Sequence, residues 1–269
     1  MGDNVKKRVK FLPKLRRSQV TIFIIIAILI IILTVLIYIY YPKIKSTIGL
    51  GENNPTGEIK SCIEKDITNS LEPVTSQGGS IDPEHYILYN DDKIEYLCYT
   101  EEYYKPCIMQ QPMLKQHIES EIKKNITNKV KSCFNKLKSD YEKKGYEVSL
   151  KQGVVSVELL PKRIVVDFNS TLSLKKTDSQ SYNNFKVVLD NNLYELVSIA
   201  NSILNWEARY GDAETTTYMN YYHDLKVEKK KLTDGSTIYI LTDRNNQNKF
   251  QFAARSVALP PGYGTDKVI

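Results

Sequence analysis

The sequence predicts an α+β protein: one N-terminal transmembrane helix, then an extracytoplasmic domain of antiparallel sheet with two or three packed helices. Three observations lead there. Val20 to Tyr41 (VTIFIIIAILIIILTVLIYIYY) holds no charge, no Gly and no Pro. The chain after it mixes amphipathic helical stripes with period-two strands. All four cysteines lie on the far side of the apolar run.

The apolar run comes first because it sets the location. At 1.5 Å per residue a helix of that length spans roughly 33 Å, enough for a bilayer core of about 30 Å. Such a helix satisfies its own backbone hydrogen bonds in lipid. A core helix of a water-soluble domain would show a polar face, and this run has none. The preceding flank, residues 1–19, carries Lys6, Lys7, Arg8, Lys10, Lys14, Arg16 and Arg17 against Asp3, a net of +6. That equals the formal charge of the whole chain. Removing these residues from 37 basic and 31 acidic leaves 30 of each. The basic balance therefore argues for membrane orientation, with the flank in the cytoplasm and the domain outside, and not for nucleic acid. Tyr38, Tyr40 and Tyr41 suit the outer headgroup layer.

The expected divisions are a basic flank at 1–19, the transmembrane helix at 20–41, a stalk at 42–57, the domain at 58–258 and a flexible tail at 259–269. The stalk (PKIKSTIGLGENNPTG) has Gly, Pro and Asn and no apolar period. From Glu58 to about Leu71, Ile59, Cys62, Ile63, Ile67 and Leu71 form one helical stripe. A loop at Gln77 to Ser80 precedes a hairpin, 86–90 and 93–100, around Asn90-Asp91-Asp92. Pro112 opens a long helix that Gly145 ends. Its stripe is Leu114, Ile118, Ile122, Ile126, Val130, Cys133, Leu137 and Tyr141.

Strands follow at 146–150 and 154–160. A third, from Ile164 to Leu174, alternates apolar and polar residues and so has one buried face. Phe185 to Leu189 reads as a strand and Leu193 to Tyr210 as an amphipathic helix, with Trp206 expected as a packing anchor. A short helix is expected over 213–223. Strands at 226–232 and 236–242 flank Asp234-Gly235, and 249–254 completes a meander.

An even cysteine count outside the cell favours disulfides. Cys62 and Cys133 both face inward on helical stripes, and Cys98 and Cys107 are close in sequence. The expected pairs are Cys62–Cys133 and Cys98–Cys107. Asn169 and Asn125 head N-x-[ST] acceptors for glycosylation, with Asn169 on the wet strand face the better placed.

No H-E-x-x-H, G-x-S-x-G, P-loop or G-x-G-x-x-G occurs. His85, His117 and His223 sit in separate elements. Glu84-His85 reads as a solvated hairpin pair, and His117 with Glu121 as an ordinary contact one helical turn apart. No cofactor or metal is expected. Nineteen tyrosines, including Tyr103-Tyr104 and those of Tyr218 to Tyr222, offer surface for a partner.

The basic flank, Arg17-Ser18-Gln19 and the apolar helix resemble the class III signal peptides of archaeal pilin-like proteins. That resemblance implies cleavage between Ser18 and Gln19. The fifth mature position is Phe23, where that family often has Glu. A wider resemblance, carried by RRSQVTIFIIIAILIIILTVLIY, IKSCIEKDI, SQGGSID and KVKSCF, is to uncharacterised single-pass proteins of small-genome (DPANN-type) archaea. It implies a membrane-anchored, surface-exposed domain and no known activity.

The functional expectation is a single-pass, membrane-anchored surface protein. It acts by binding or assembly in the cell envelope or in cell–cell contact, and it is not catalytic. Its partners are the lipid bilayer and surface proteins. The alternatives are a pilin-like filament subunit cut before Gln19 and an anchored hydrolase with an unrecognised site.

Overall fold

The computed structural model describes residues 24–35 and 54–260. The chain forms two compact units, 1–54 and 55–269. In the first, residues 24–35 form helix α1. Its large apolar side chains are 46 to 61% exposed on every face. Thr34 returns its hydroxyl proton to the Ile31 carbonyl at 2.8 Å, which satisfies the helix's one polar side chain. Among the described residues no helix is long and apolar enough to cross a membrane. The ends of the 20–41 span lie outside the described residues. So do the basic flank, Ser18, Gln19, most of the stalk and most of the tail.

The second unit is an α+β domain. Helix α2 (Pro55–Ser76) leads into the hairpin β1 (Tyr86–Tyr89) and β2 (Asp92–Tyr99), then the short β3 (Ile108–Met109) and helix α3 (Leu114–Lys143). Strands β4 (Glu147–Lys151), β5 (Val155–Leu160), β6 (Arg163–Lys175) and β7 (Ser179–Asp190) come next. Helices α4 (Leu193–Tyr210) and α5 (Thr216–Tyr221) precede β8 (Leu225–Lys231), β9 (Ser236–Asp243) and β10 (Lys249–Arg255).

The strands make two sheets where one antiparallel sheet is expected. The first runs β1-β2-β10-β9-β8 with β3 on β2; the second centres on β6, flanked by β4 and β5 along one edge and by β7 along the other. The second is wholly antiparallel, but β2 and β10 pair in parallel. No turn joins those two strands, so local sequence carries no signal of their direction. Among the described residues the unit holds three helices with buried stripes, α2, α3 and α4, and the short α5, which buries no residue, as expected. Strand β7 begins six residues before the expected Phe185. Its first half, SQSYNN, is polar and exposed apart from the half-buried Tyr182, and it is held mainly by the backbone ladder to β6.

Helices α2 and α3 lie antiparallel with a regular register. Glu58 accepts the Tyr141 hydroxyl at 3.2 Å, Cys62 is bonded to Cys133, and Ser70 Oγ is 2.8 Å from Asn125 Oδ1. Their facing stripes are Ile59, Ile63, Ile67, Leu71 and Val74 against Ile118, Ile122, Ile126 and Val130, all buried. The second disulfide, Cys98–Cys107, ties β2 to the loop before β3. The helix pair bridges the sheets: α2 touches β7 of one and β10 of the other. One buried cluster therefore runs through the whole unit, with a smaller one of Ile94, Tyr96, Ile238 and Ala253 on the outer face of the first sheet.

Turn chemistry follows the residues. Asn90 and Asp91 both have positive φ, as a two-residue hairpin of type I′ requires. Gly153 has a different reason to be glycine. Strand β6 changes partners from β5 to β4 at Asn169–Ser170, and the connection crosses its backbone there. A Cβ on Gly153 would sit 1.5 Å from the Asn169 carbonyl oxygen. The Gly153 N–H also donates to Ser170 Oγ at 3.2 Å. Gly153→Ala is expected to cost about 3 kcal/mol, the upper part of the range for forced insertion of a methyl group. A fall in the urea midpoint of the full-length chain measures it, and an unchanged midpoint refutes the close approach.

Candidate functional site: a polar cleft at Ser80, Glu95, His117 and Glu121

Three segments distant in sequence meet at one cleft of about 720 Å³. They are the loop after α2, strand β2 and the first turns of α3. The loop is brought in by Gly78 and Gly79, at φ +82° and +108°. A Cβ on Gly78 would lie 2.7 Å from the Glu95 Cβ, so the chain passes directly over β2. That places Ser80, only 5% exposed, between two titratable groups. Its Oγ is 2.6 Å from Glu95 Oε2 and 2.7 Å from His117 Nε2.

A serine hydroxyl has one proton and faces two partners here, so the protonation states are linked. Where Ser80 donates to Glu95, the His117 Nε2–H donates to Ser80. Where Glu95 holds a proton and donates, Ser80 passes its own toward His117. Burial raises the Glu95 carboxyl above its ordinary range, against the bonds it accepts from Ser80 and Gln111. Burial likewise lowers the His117 imidazole. Both groups are thus driven toward their neutral forms.

Glu121, one turn further along α3, behaves oppositely. Burial alone would raise it. The Lys124 ammonium at 2.6 Å, the Ile81 N–H at 3.3 Å and the His117 ring together outweigh burial and lower it. So Glu121 bonds to the loop and to Lys124, while His117 turns to Ser80; the pair expected to contact each other point to different partners. His85 closes the rim, its ring 4.8 Å from that of Tyr96 and 4.2 Å from that of Tyr99. Gln110, Gln111 and Asn125 add amides to the wall.

Two of the carboxylates around the cleft are paired, while Glu84 on the rim meets no cation among the described residues. Asp82 meets Lys93 at 3.2 Å and Glu121 meets Lys124. Burial favours the neutral forms of Glu95 and His117, and the wall is rich in hydrogen-bonding groups. Among the described residues no group of three or more His, Cys, Asp or Glu is placed to hold a metal ion.

The remaining sequence candidates are scattered. The Asn169 side chain is exposed at the β6 partner change. Asn125 is half-buried, and its Oδ1 accepts from Lys129 Nζ at 3.2 Å. Tyr103, Tyr104, Tyr221 and Tyr222 are exposed, whereas Tyr218 is tied to Ser202 at 2.7 Å. Trp206 is 47% exposed and leans on Tyr210, so it is not the core anchor expected. Its place on α4 is one step off the buried stripe of Ala200, Ile203 and Leu204.

Another perturbed carboxyl, Glu207, is buried on α4, accepting from the Tyr239 hydroxyl and from the Ala213 N–H at 3.2 Å. It does not line the cleft and links α4 to β9. Ser80, Glu95 and Glu121 were not legible as a group. The one local signal was Gly78-Gly79 before a serine, a weak one. No family model, no curated protein and no solved structure matches the chain.

Proposed function

We propose that this protein is a membrane-anchored, extracytoplasmic surface protein that acts by binding, and that its cleft takes a neutral, multiply hydroxylated ligand of the saccharide class. The observation that carries the ligand class is the density of uncharged hydrogen-bonding groups on the cleft wall, beside two carboxylates that already have cations. A charged ligand gains little where Asp82 and Glu121 already have cations. A neutral ligand with many hydroxyls finds donors and acceptors at Ser80, Gln110, Gln111, His117 and Asn125. Supporting the location are the apolar run 20–41, the basic flank before it and two disulfides, which persist in oxidising compartments. A surface protein with such a cleft suits recognition of envelope glycans, its own cell's or a neighbour's.

The test uses the full-length chain in detergent micelles and neutral hexasaccharides of glucose, N-acetylglucosamine, mannose and galactose. Saturable binding is expected, weakened about tenfold by Gln111→Ala, which is the loss of one to two hydrogen bonds. Preference for an anionic or cationic oligomer over every neutral sugar overturns the ligand class. Release of the protein from membranes by alkaline carbonate overturns the anchor.

A further inference from the structure

We propose that the cleft also cleaves the saccharide it binds, with Glu95 as general acid and Glu121 as general base of glycosidic hydrolysis. This rests on the saccharide reading above. Its foundation is geometric: two carboxyls, one from β2 and one from α3, stand on the wall of a single open cleft in contrasting settings. Glu95 is 8% exposed and meets a neutral hydroxyl and an amide. Glu121 is held by an ammonium and a backbone N–H. Hydrolysis of a glycoside asks for that division, one carboxyl carrying a proton and one without.

The step balances with water as the only co-reactant. Glu95 gives its proton to the leaving glycosidic oxygen as the bond from that oxygen to the anomeric carbon breaks. Water forms the new bond to that carbon and yields a proton to Glu121. Glu95 ends ionised and Glu121 protonated. The Glu121 proton leaves to solvent through the open cleft. Glu95 is reloaded through Ser80: His117, half-exposed, takes a proton from solvent, Ser80 accepts the Nε2 proton while giving its own to Glu95, and the imidazole returns to its neutral form. That gives a reason for a serine held at 2.6 and 2.7 Å between a carboxyl and a half-exposed imidazole.

Acyl transfer from Ser80 fits less well. A serine nucleophile needs an imidazole whose other nitrogen is oriented by a carboxylate. Here the close carboxyl meets the serine itself, and Glu121 is bound by Lys124 and Ile81.

The groups facing the pair set the pH profile. From the loop come Asp82, tied to Lys93, with Glu84 and His85; from α3 come His117 and Lys124. Cleavage needs Glu121 ionised and Glu95 protonated. It therefore rises with pH through the lowered value of Glu121 and falls through the raised value of Glu95.

The experiment incubates the full-length protein in micelles with end-labelled neutral hexasaccharides and follows shorter products across pH. The expected result is a bell-shaped profile, with Glu95→Gln and Glu121→Gln each lowering turnover about 10³-fold while affinity changes far less. Ser80→Ala and His117→Gln should lower kcat and move the alkaline limb of the profile, a shift that the loss of a ligand hydrogen bond alone would not produce. Unaltered circular dichroism shows that each variant folds. Binding without cleavage overturns the hydrolysis and leaves the binding function standing. Absence of binding overturns both. Cleavage that survives either Gln substitution overturns the assignment of the pair.

Discussion

Replacing Cys62 and Cys133 together by alanine lowers the unfolding free energy of the α+β domain by about 4 kcal/mol. The bond closes a sequence separation of 71 residues. In the chain-entropy account a loop of that size is worth about 4.4 kcal/mol, and the nine-residue separation of Cys98 and Cys107 about 2.6 kcal/mol. The larger effect has a structural sense as well. Cys62–Cys133 sits in the antiparallel seam of α2 and α3, between the Glu58–Tyr141 contact and the Ser70–Asn125 contact. Without it α2 is held by its apolar stripe and a few polar contacts, with no covalent tie. Urea unfolding of the full chain in non-ionic detergent, wild type against the two paired alanine variants, decides the matter. Equal losses for the two pairs sink the ranking. Hydrogen exchange adds a direction: α2 should lose protection in the first variant and keep it in the second.

Phe134→Ala is the other large effect, about 4 kcal/mol, within the range for emptying a buried aromatic site. Phe134 is 1% exposed and lies next to Cys133 on α3. Its ring is edge-on to Phe185 at 5.0 Å and to Phe168 at 6.3 Å. Those partners stand on β7 and β6, so the one side chain joins the helix pair to the second sheet. These aromatic neighbours are fixed on paired strands and refill the space poorly. Phe134→Leu keeps most of the volume and should cost less than half as much. A loss under about 1.5 kcal/mol for the alanine variant would show that the site collapses freely. The same urea titration measures both.

Much of the domain was readable because its elements obey one-dimensional rules. Leu114 to Tyr141 fall on one helical stripe, and α3 buries each of them. Ile164 to Leu174 alternate along β6, whose inner residues Ile164, Val166, Phe168, Leu172 and Leu174 are buried. Two cysteines on two inward stripes had few other partners, and the structure bonds Cys62 to Cys133. Trp206 misled because a large apolar residue near a helix end need not fall on its buried arc. The length of β7 was hidden because backbone pairing to β6 leaves no mark on exposed polar side chains.

The cleft lay beyond such reading. Ser80 is 15 residues from Glu95 and 37 from His117, and it meets both only because α2, β2 and α3 converge. What the residues determined by themselves is local: where helices and strands run, which face of each is apolar, where turns fall, and that an uncharged run of bilayer length precedes a domain of balanced charge. Tertiary structure alone decided that β2 runs parallel to β10, that two sheets form, and that one serine stands between an acid and an imidazole. The reason is one of range. Periodicity and turn chemistry act over a few residues along the chain, whereas strand direction between unlinked segments and the meeting of side chains are settled by packing in three dimensions.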